Sequence, residues 1–226
     1  MGFYGRWRNG VLMSFFQVTA ELMDGFWLTC RLFAETLLYS LPLGLLISFG
    51  LLSNFRPLRG VMNVVVWAIR GTPLMLLLFI VFYVPGFAFG VTLDRYPAAL
   101  LAFVVNYACY FAVIFKGGIQ SVPVGQTEAG QVLGMRGGQV FGRVVLFQVF
   151  RNILAPVSNE VITLVKDTAL ARTISVLEIM FMANQLLTTK ALVWPLFYTA
   201  LFYLLFIGVL TLLFQFLEKK VSYYKV

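Results

Sequence analysis

The 226-residue chain contains no histidine. That absence excludes Ser-His-Asp hydrolases, Cys-His proteases, HExxH zinc enzymes and proton relays built on imidazole. Charge is also scarce. Asp, Glu, Lys and Arg make up 12% of the residues, where a soluble domain carries roughly 25%. With 61% hydrophobic residues and a mean hydropathy of +0.90, a water-soluble enzyme is excluded. The 2 cysteines, Cys30 and Cys109, sit in apolar stretches and read as small buried side chains, not as a disulfide or a metal site. No GxxxxGK[ST] run is present, so the chain holds no nucleotide in a P-loop of its own. Neither cofactor nor metal is expected. The net charge of +8 fits basic cytoplasmic loops better than a nucleic-acid surface.

What the chain has is apolar length. A membrane-crossing helix needs about 20 largely apolar residues. Five candidates follow: about Gly25 to Leu52, Val61 to Val84 (ended by Pro85-Gly86), Pro97 to Phe115, Ile153 to Ala171, and Ala191 to Leu217. Before the first, Arg6 and Arg8 precede an apolar run that resembles the start of a signal peptide. However, Ser14, Gln17 and Glu21 fall on one helix face, which favours a retained interfacial helix. Between the third and fourth candidates lies one Gly-rich polar insertion, about Lys116 to Arg151. The expected fold is therefore all-α and integral to the membrane, a single domain over residues 1–226. Arg56, Arg59, Lys116, Arg136, Arg143, Arg151, Lys219, Lys220 and Lys225 collect on one side, which places the N-terminus outside and the C-terminus in the cytoplasm.

Two stretches put polar groups at membrane depth. Arg70-Gly71-Thr72-Pro73 lies inside the second candidate, where Pro73 has no N–H and its ring clashes with a preceding carbonyl. A helix broken there is tolerated only against protein or a wet cavity. In the fourth candidate, Asn159, Thr163 and Asp167 recur at i, i+4 and i+8, with Lys166 on the same face and Glu160 at its edge. Two roles fit these charges. They neutralise one another and orient the helices, or they line a pathway for a zwitterion, whose ammonium and carboxylate need opposite partners.

The insertion carries Gln126-Thr127-Glu128-Ala129-Gly130 and, later, Gly134. It resembles the EAA loop of ATP-binding-cassette (ABC) import permeases: Glu-Ala-Ala, three residues, Gly, nine residues, then Ile-x-Leu-Pro. Glu128, Ala129 and Gly134 match; Gly130 replaces the second Ala, and Phe147 stands at the Pro position. Gly25-Phe26-Trp27-Leu28-Thr29, Arg70-Gly71-Thr72-Pro73, Phe115 to Ile119, Val122 to Glu128, and Asn159-Glu160 through Lys166-Asp167-Thr168-Ala169-Leu170 are similar to stretches of polar amino-acid permeases, in the family's order.

The resemblance implies a five-helix permease subunit of a type I importer of the histidine, glutamine, glutamate or arginine kind, in a bacterial inner membrane. It implies a second permease subunit, identical or homologous, two ATPase subunits beneath, and an extracytoplasmic binding protein that delivers a polar amino acid. Gln126, Glu128, Ala129, Gly130 and Gly134 are the expected ATPase-coupling residues. Arg70, Gly71, Thr72, Asn159, Glu160, Thr163, Lys166 and Asp167 are the expected substrate residues. The alternative is a stand-alone secondary transporter or channel for small polar solutes, which has no need of the cytoplasmic insertion. A membrane-embedded enzyme requires convergent acid/base or metal-ligand groups, and the carboxylates outside the fourth candidate are scattered. No catalytic residue is expected.

Overall fold

A computed structural model describes residues 15–222. Among these residues nine α-helices are present and no strand. They are α1 (Phe15–Leu52), α2 (Arg56–Gly71), α3 (Leu74–Phe89), α4 (Arg95–Gln120), α5 (Val124–Val132), α6 (Gly137–Val140), α7 (Leu146–Asp167), α8 (Ile179–Lys190) and α9 (Trp194–Ser222). A π-helical turn, Phe141–Val145, joins α6 to α7, and a 3₁₀ segment, Thr168–Ile174, follows α7. Four stretches are long and apolar enough to span a bilayer, and the α2–α3 pair makes a fifth if counted as one broken span.

The centre is α4, packed against α1, α2, α3 and α7. Apolar helices gain nothing hydrophobic by leaving lipid for each other, so close backbone approach has to hold them. The buried stripe of α1 supplies it with Thr29, Thr36, Ser40, Gly44 and Ser48. A Cβ on Gly44 would come within 2.9 Å of the Ala108 carbonyl oxygen and the Phe111 Cβ. Facing this stripe, α4 buries Ala98, Ala99, Ala102, Ala108 and Ala112. By contrast α9 turns Phe197, Leu201, Leu204, Leu205, Val209 and Leu212 outward, a lipid-facing surface.

Several boundaries differ from those expected. The proposed interfacial helix lies partly outside the described residues; from Phe15 onward it forms the first turns of α1 without a break before Gly25. Val18 and Leu22 are fully buried with Ile179 and Ala183 of α8, which gives these turns a protein partner. Pro85 does not end the second span, because α3 continues to Phe89 and stops at Gly90, which is left-handed at φ 67°. Lys116 to Gln120 belong to the last turns of α4, not to the polar insertion. Helix α8 was not anticipated.

The start of α8 is fastened by a buried carboxylate. Glu178 is its N-cap, and it accepts N–H bonds from Met180 at 2.8 Å and Phe181 at 2.6 Å. The Tyr203 hydroxyl of α9 donates to it at 3.4 Å. Beside it, Thr29 Oγ1 of α1 accepts the Ile179 N–H at 3.2 Å. Burial pushes the Glu178 pKa up to about 7, with the two N–H donors pulling the other way. A carboxyl raised above its ordinary value contributes stability that is complete below that value and is lost as pH rises through about 7. Thermal unfolding in detergent is therefore expected to shift to lower temperature between about pH 4.5 and about pH 7.5, an effect on the order of 3 kcal/mol. Glu178→Gln is expected to remove that slope; an identical pH profile in the variant contradicts the assignment.

Candidate functional site

The chain breaks where the sequence places Pro73. Thr72 is extended (φ −99°, ψ 131°), as a residue before proline prefers, and α2 and α3 meet at 104°. At 16 residues each, both halves are about 24 Å long, too short to cross alone. The freed backbone is satisfied locally. The Thr72 hydroxyl donates to the Ala68 carbonyl at 2.8 Å, the Thr72 N–H to the Ile69 carbonyl at 3.2 Å, and the Pro73 carbonyl accepts from Leu76 and Leu77.

A cavity of about 390 Å³ opens at this break. Arg70 to Leu74 form one wall, Asn106, Tyr107 and Tyr110 of α4 a second, and Glu160, Thr163 and Asp167 of α7, with Leu170, the third. The structure thus brings together Arg70, Gly71, Thr72, Glu160, Thr163 and Asp167 from stretches far apart in the chain. It does not bring Asn159 or Lys166 to the wall; both are exposed. The reason is phase. Residues 160, 163 and 167 follow i, i+3, i+7, while 159 and 166 each lie one residue, roughly 100°, to the side.

The charges in the cavity are held individually. The Arg70 guanidinium lies over the Tyr110 ring, 4.8 Å from its centroid. The Tyr107 hydroxyl donates to Asp167 Oδ2 at 2.7 Å. Glu160 lies within Coulombic reach of both Arg70 and Asp167. Among the described residues none of the three carries an ion pair shorter than 4 Å. Asn106, Tyr107 and Tyr110 were missed from the sequence. Two are aromatic in an aromatic-rich helix, where they pass for core. Asn106 offered a signal, as the one amide between Pro97 and Phe115.

The second candidate region is cytoplasmic in the expected topology. Helix α5 starts after Pro123 and ends in a Schellman turn. Met135 N–H bonds to the Gly130 carbonyl at 3.0 Å and Gly134 N–H to the Gln131 carbonyl at 2.9 Å, with Gly134 left-handed at φ 76°. Of the expected coupling residues, Glu128 and Ala129 are exposed, beside Val132 and Leu133, which are 87% and 80% exposed. Gln126 instead faces its own chain, accepting from Gln148 of α7 at 3.4 Å. Gly130 is buried, and a Cβ there would meet Val140 Cγ2 at 2.8 Å. Its small size serves an internal contact with Val140. Phe147, at the Pro position of the family pattern, follows directly on the π turn and first residue of α7.

Comparison with known proteins agrees with this geometry. Residues 40–223 match the family described as binding-protein-dependent transport system inner membrane component. The L-cystine transport system permease protein TcyB of Bacillus subtilis is 42% identical over 165 residues, covering 73% of this chain and 70% of that protein. The arginine transport system permease protein ArtQ of the same organism is 31% identical over 202 residues, 89% of this chain and 92% of that one. Among solved structures, a chain of an amino acid ABC transporter with histidines superposes with a TM-score of 0.84 at 25% identity, covering 93% of this chain and 100% of that one. A chain of the MetNI methionine ABC transporter, with a TM-score of 0.73 at 17% identity and coverage of 92% and 99%, shares the fold.

The Gly130–Val140 contact makes its own forecast. Gly130→Val is expected to loosen the segment from α5 to the π turn, seen as faster limited proteolysis there, and Val140→Ala in the same chain to restore protection. No change in Gly130→Val contradicts the contact.

Proposed function

The chain belongs to the binding-protein-dependent transport system inner membrane components, as a permease of the amino-acid ABC importer family, and from that premise we propose that the cavity at the α2–α3 break carries a polar amino acid across the bilayer. The observation that supports this most directly is the cavity's charge. One guanidinium and two carboxylates face the same space without pairing. A zwitterion supplies the missing partners, its carboxylate to Arg70 and the Thr72 region, its ammonium to Asp167 with Glu160 beside it. Relatives named for cystine, arginine and glutamine are in keeping with a polar amino acid as cargo.

In this reading two permease subunits, identical or homologous, enclose the pathway. A binding protein delivers the amino acid from outside, where the N-terminus also lies. Two ATPase subunits dock from the cytoplasm on the outward face of α5. Glu128 stands exposed at the middle of that helix, and Ala129, Val132 and Leu133 present a small apolar surface for a groove. Hydrolysis of ATP belongs to the partner.

Two measurements test the reading. Proteoliposomes holding the permease with its ATPase, binding protein and ATP are expected to take up at least one of L-cystine, L-arginine and L-glutamine, and the lone chain none under a proton or sodium gradient. Gradient-driven uptake by the lone chain contradicts the proposal. In the intact complex, Asp167→Asn is expected to weaken amino-acid affinity roughly 10- to 150-fold, the worth of one charge-assisted hydrogen bond. Unchanged affinity removes Asp167 from the site.

Coupling has a separate test. Leu133→Asp is expected to leave the permease folded and inserted but to abolish both transport and substrate-stimulated ATP hydrolysis. Normal stimulation in that variant rules out the α5 face as the dock.

A further inference from the structure

Opposite charges facing one low-dielectric cavity attract strongly. Among the described residues, Arg70, Glu160 and Asp167 nevertheless form no ion pair, and one turn of α4 contacts both Arg70 and Asp167. Arg70 comes from the end of α2 and Asp167 from the end of α7. The element common to both is α4, which holds Arg70 through the Tyr110 ring and Asp167 through the Tyr107 hydroxyl. Tyr107 is only 1% exposed and is flanked by Phe103 and Phe111, so its hydroxyl has little freedom. Three residues apart on a helix, the two tyrosines share a face, with ring centroids 6.2 Å apart.

We propose that Tyr107 and Tyr110 are positioning residues that keep the cavity's opposite charges separated and open, Tyr110 aiming Arg70 at a substrate carboxylate and Tyr107 aiming Asp167 at a substrate ammonium. This rests on reading the cavity as the amino-acid site. The geometry of each contact supports it. A ring engages the flat face of a guanidinium and leaves its edge N–H groups free for a carboxylate. A phenol donating to one carboxylate oxygen leaves the other oxygen's lone pairs for an ammonium. Without the tyrosines, Arg70 collapses onto Glu160 or Asp167, and an arriving amino acid must first break that pair.

The test uses the assembled complex with its ATPase subunits and calorimetry. The ligands are L-cystine, L-arginine and L-glutamine, each with its α-amide and its N-acetyl derivative. At position 110 the series is Tyr110→Phe, then Tyr110→difluorophenylalanine and Tyr110→trifluorophenylalanine, which keeps the ring while draining its negative face. Wild type and Tyr110→Phe are expected to prefer the free amino acid over both derivatives. Fluorination is expected to weaken binding stepwise, by roughly 3- to 30-fold in all. It should erode the preference over the amide and leave the preference over the N-acetyl form. Tyr107→Phe is expected to do the reverse, eroding the preference over the N-acetyl form with a loss of roughly tenfold. A residue that only supports the fold lowers all three ligand forms alike. Equal losses across the forms, or no dependence on fluorination, overturn the proposal and leave the amino-acid site standing. A wild-type complex that binds none of the three amino acids overturns the site and the proposal together.

Discussion

The break at Thr72–Pro73 frees backbone groups that hydrocarbon cannot satisfy, and the surrounding architecture follows from hiding them. The Thr72 hydroxyl and the carbonyls of Ala68, Ile69 and Pro73 resolve most of the deficit within the break itself. Arg70 cannot be resolved that way, so the break needs a protein wall. The turn of α4 carrying Tyr107 and Tyr110, and the inward face of α7, provide it. The cavity is thus the space left where a chain that cannot face lipid is screened by two helices that can.

The same solvent explains how the screening helices are held. No water is released when apolar helices meet inside a bilayer, so contact area has to come from shape. Small residues along α1 let α4 approach until backbone touches side chain at Gly44. Polar side chains then join helices where they emerge. Arg31 and Glu35 pair at 2.8 Å, and the Tyr96 hydroxyl donates to Glu35 at 2.7 Å, tying the start of α4 to α1. Glu178 does comparable work for α8.

The large features were legible because they depend on composition and on proline. Apolar runs gave the spans, Pro73 the break, and the polar residues of the fourth span one wall of the cavity. What escaped depends on rotation and on neighbours. The stripe through Asn159, Thr163 and Asp167 was read at intervals of four, whereas the inward face runs through Glu160, Thr163 and Asp167; over two turns the two differ by a fraction of a turn. Tyr107 and Tyr110 look like any aromatic in a helix until an arginine and an aspartate from other helices arrive beside them. That Val140 fills the space above Gly130 is seen only in the structure. Helix α8 is short and mixed in character, and its start is specified by Glu178, a charged cap whose burial against α1 and α9 only the tertiary structure reveals.

One contact also sets a pivot. Near the C-terminal end of α4, a Cβ on Gly118 would overlap the Ile153 side chain of α7, so the two helices touch there without slack. Farther along, α7 shares the buried core with α4 through Val161, Leu164 and Val165, and the Tyr107 hydroxyl donates to Asp167. From Ile153 to Asp167 is 14 residues, a lever arm of about 21 Å. A tilt of about 5° about Gly118 therefore swings the Asp167 end by about 2 Å, enough to exchange a hydrogen bond for a gap. The Ile153 end of that lever continues back through the π turn to Val140 and α5. A displacement too small to disturb the packing at Gly118 is enlarged at the Asp167 end of α7, in the wall of the cavity.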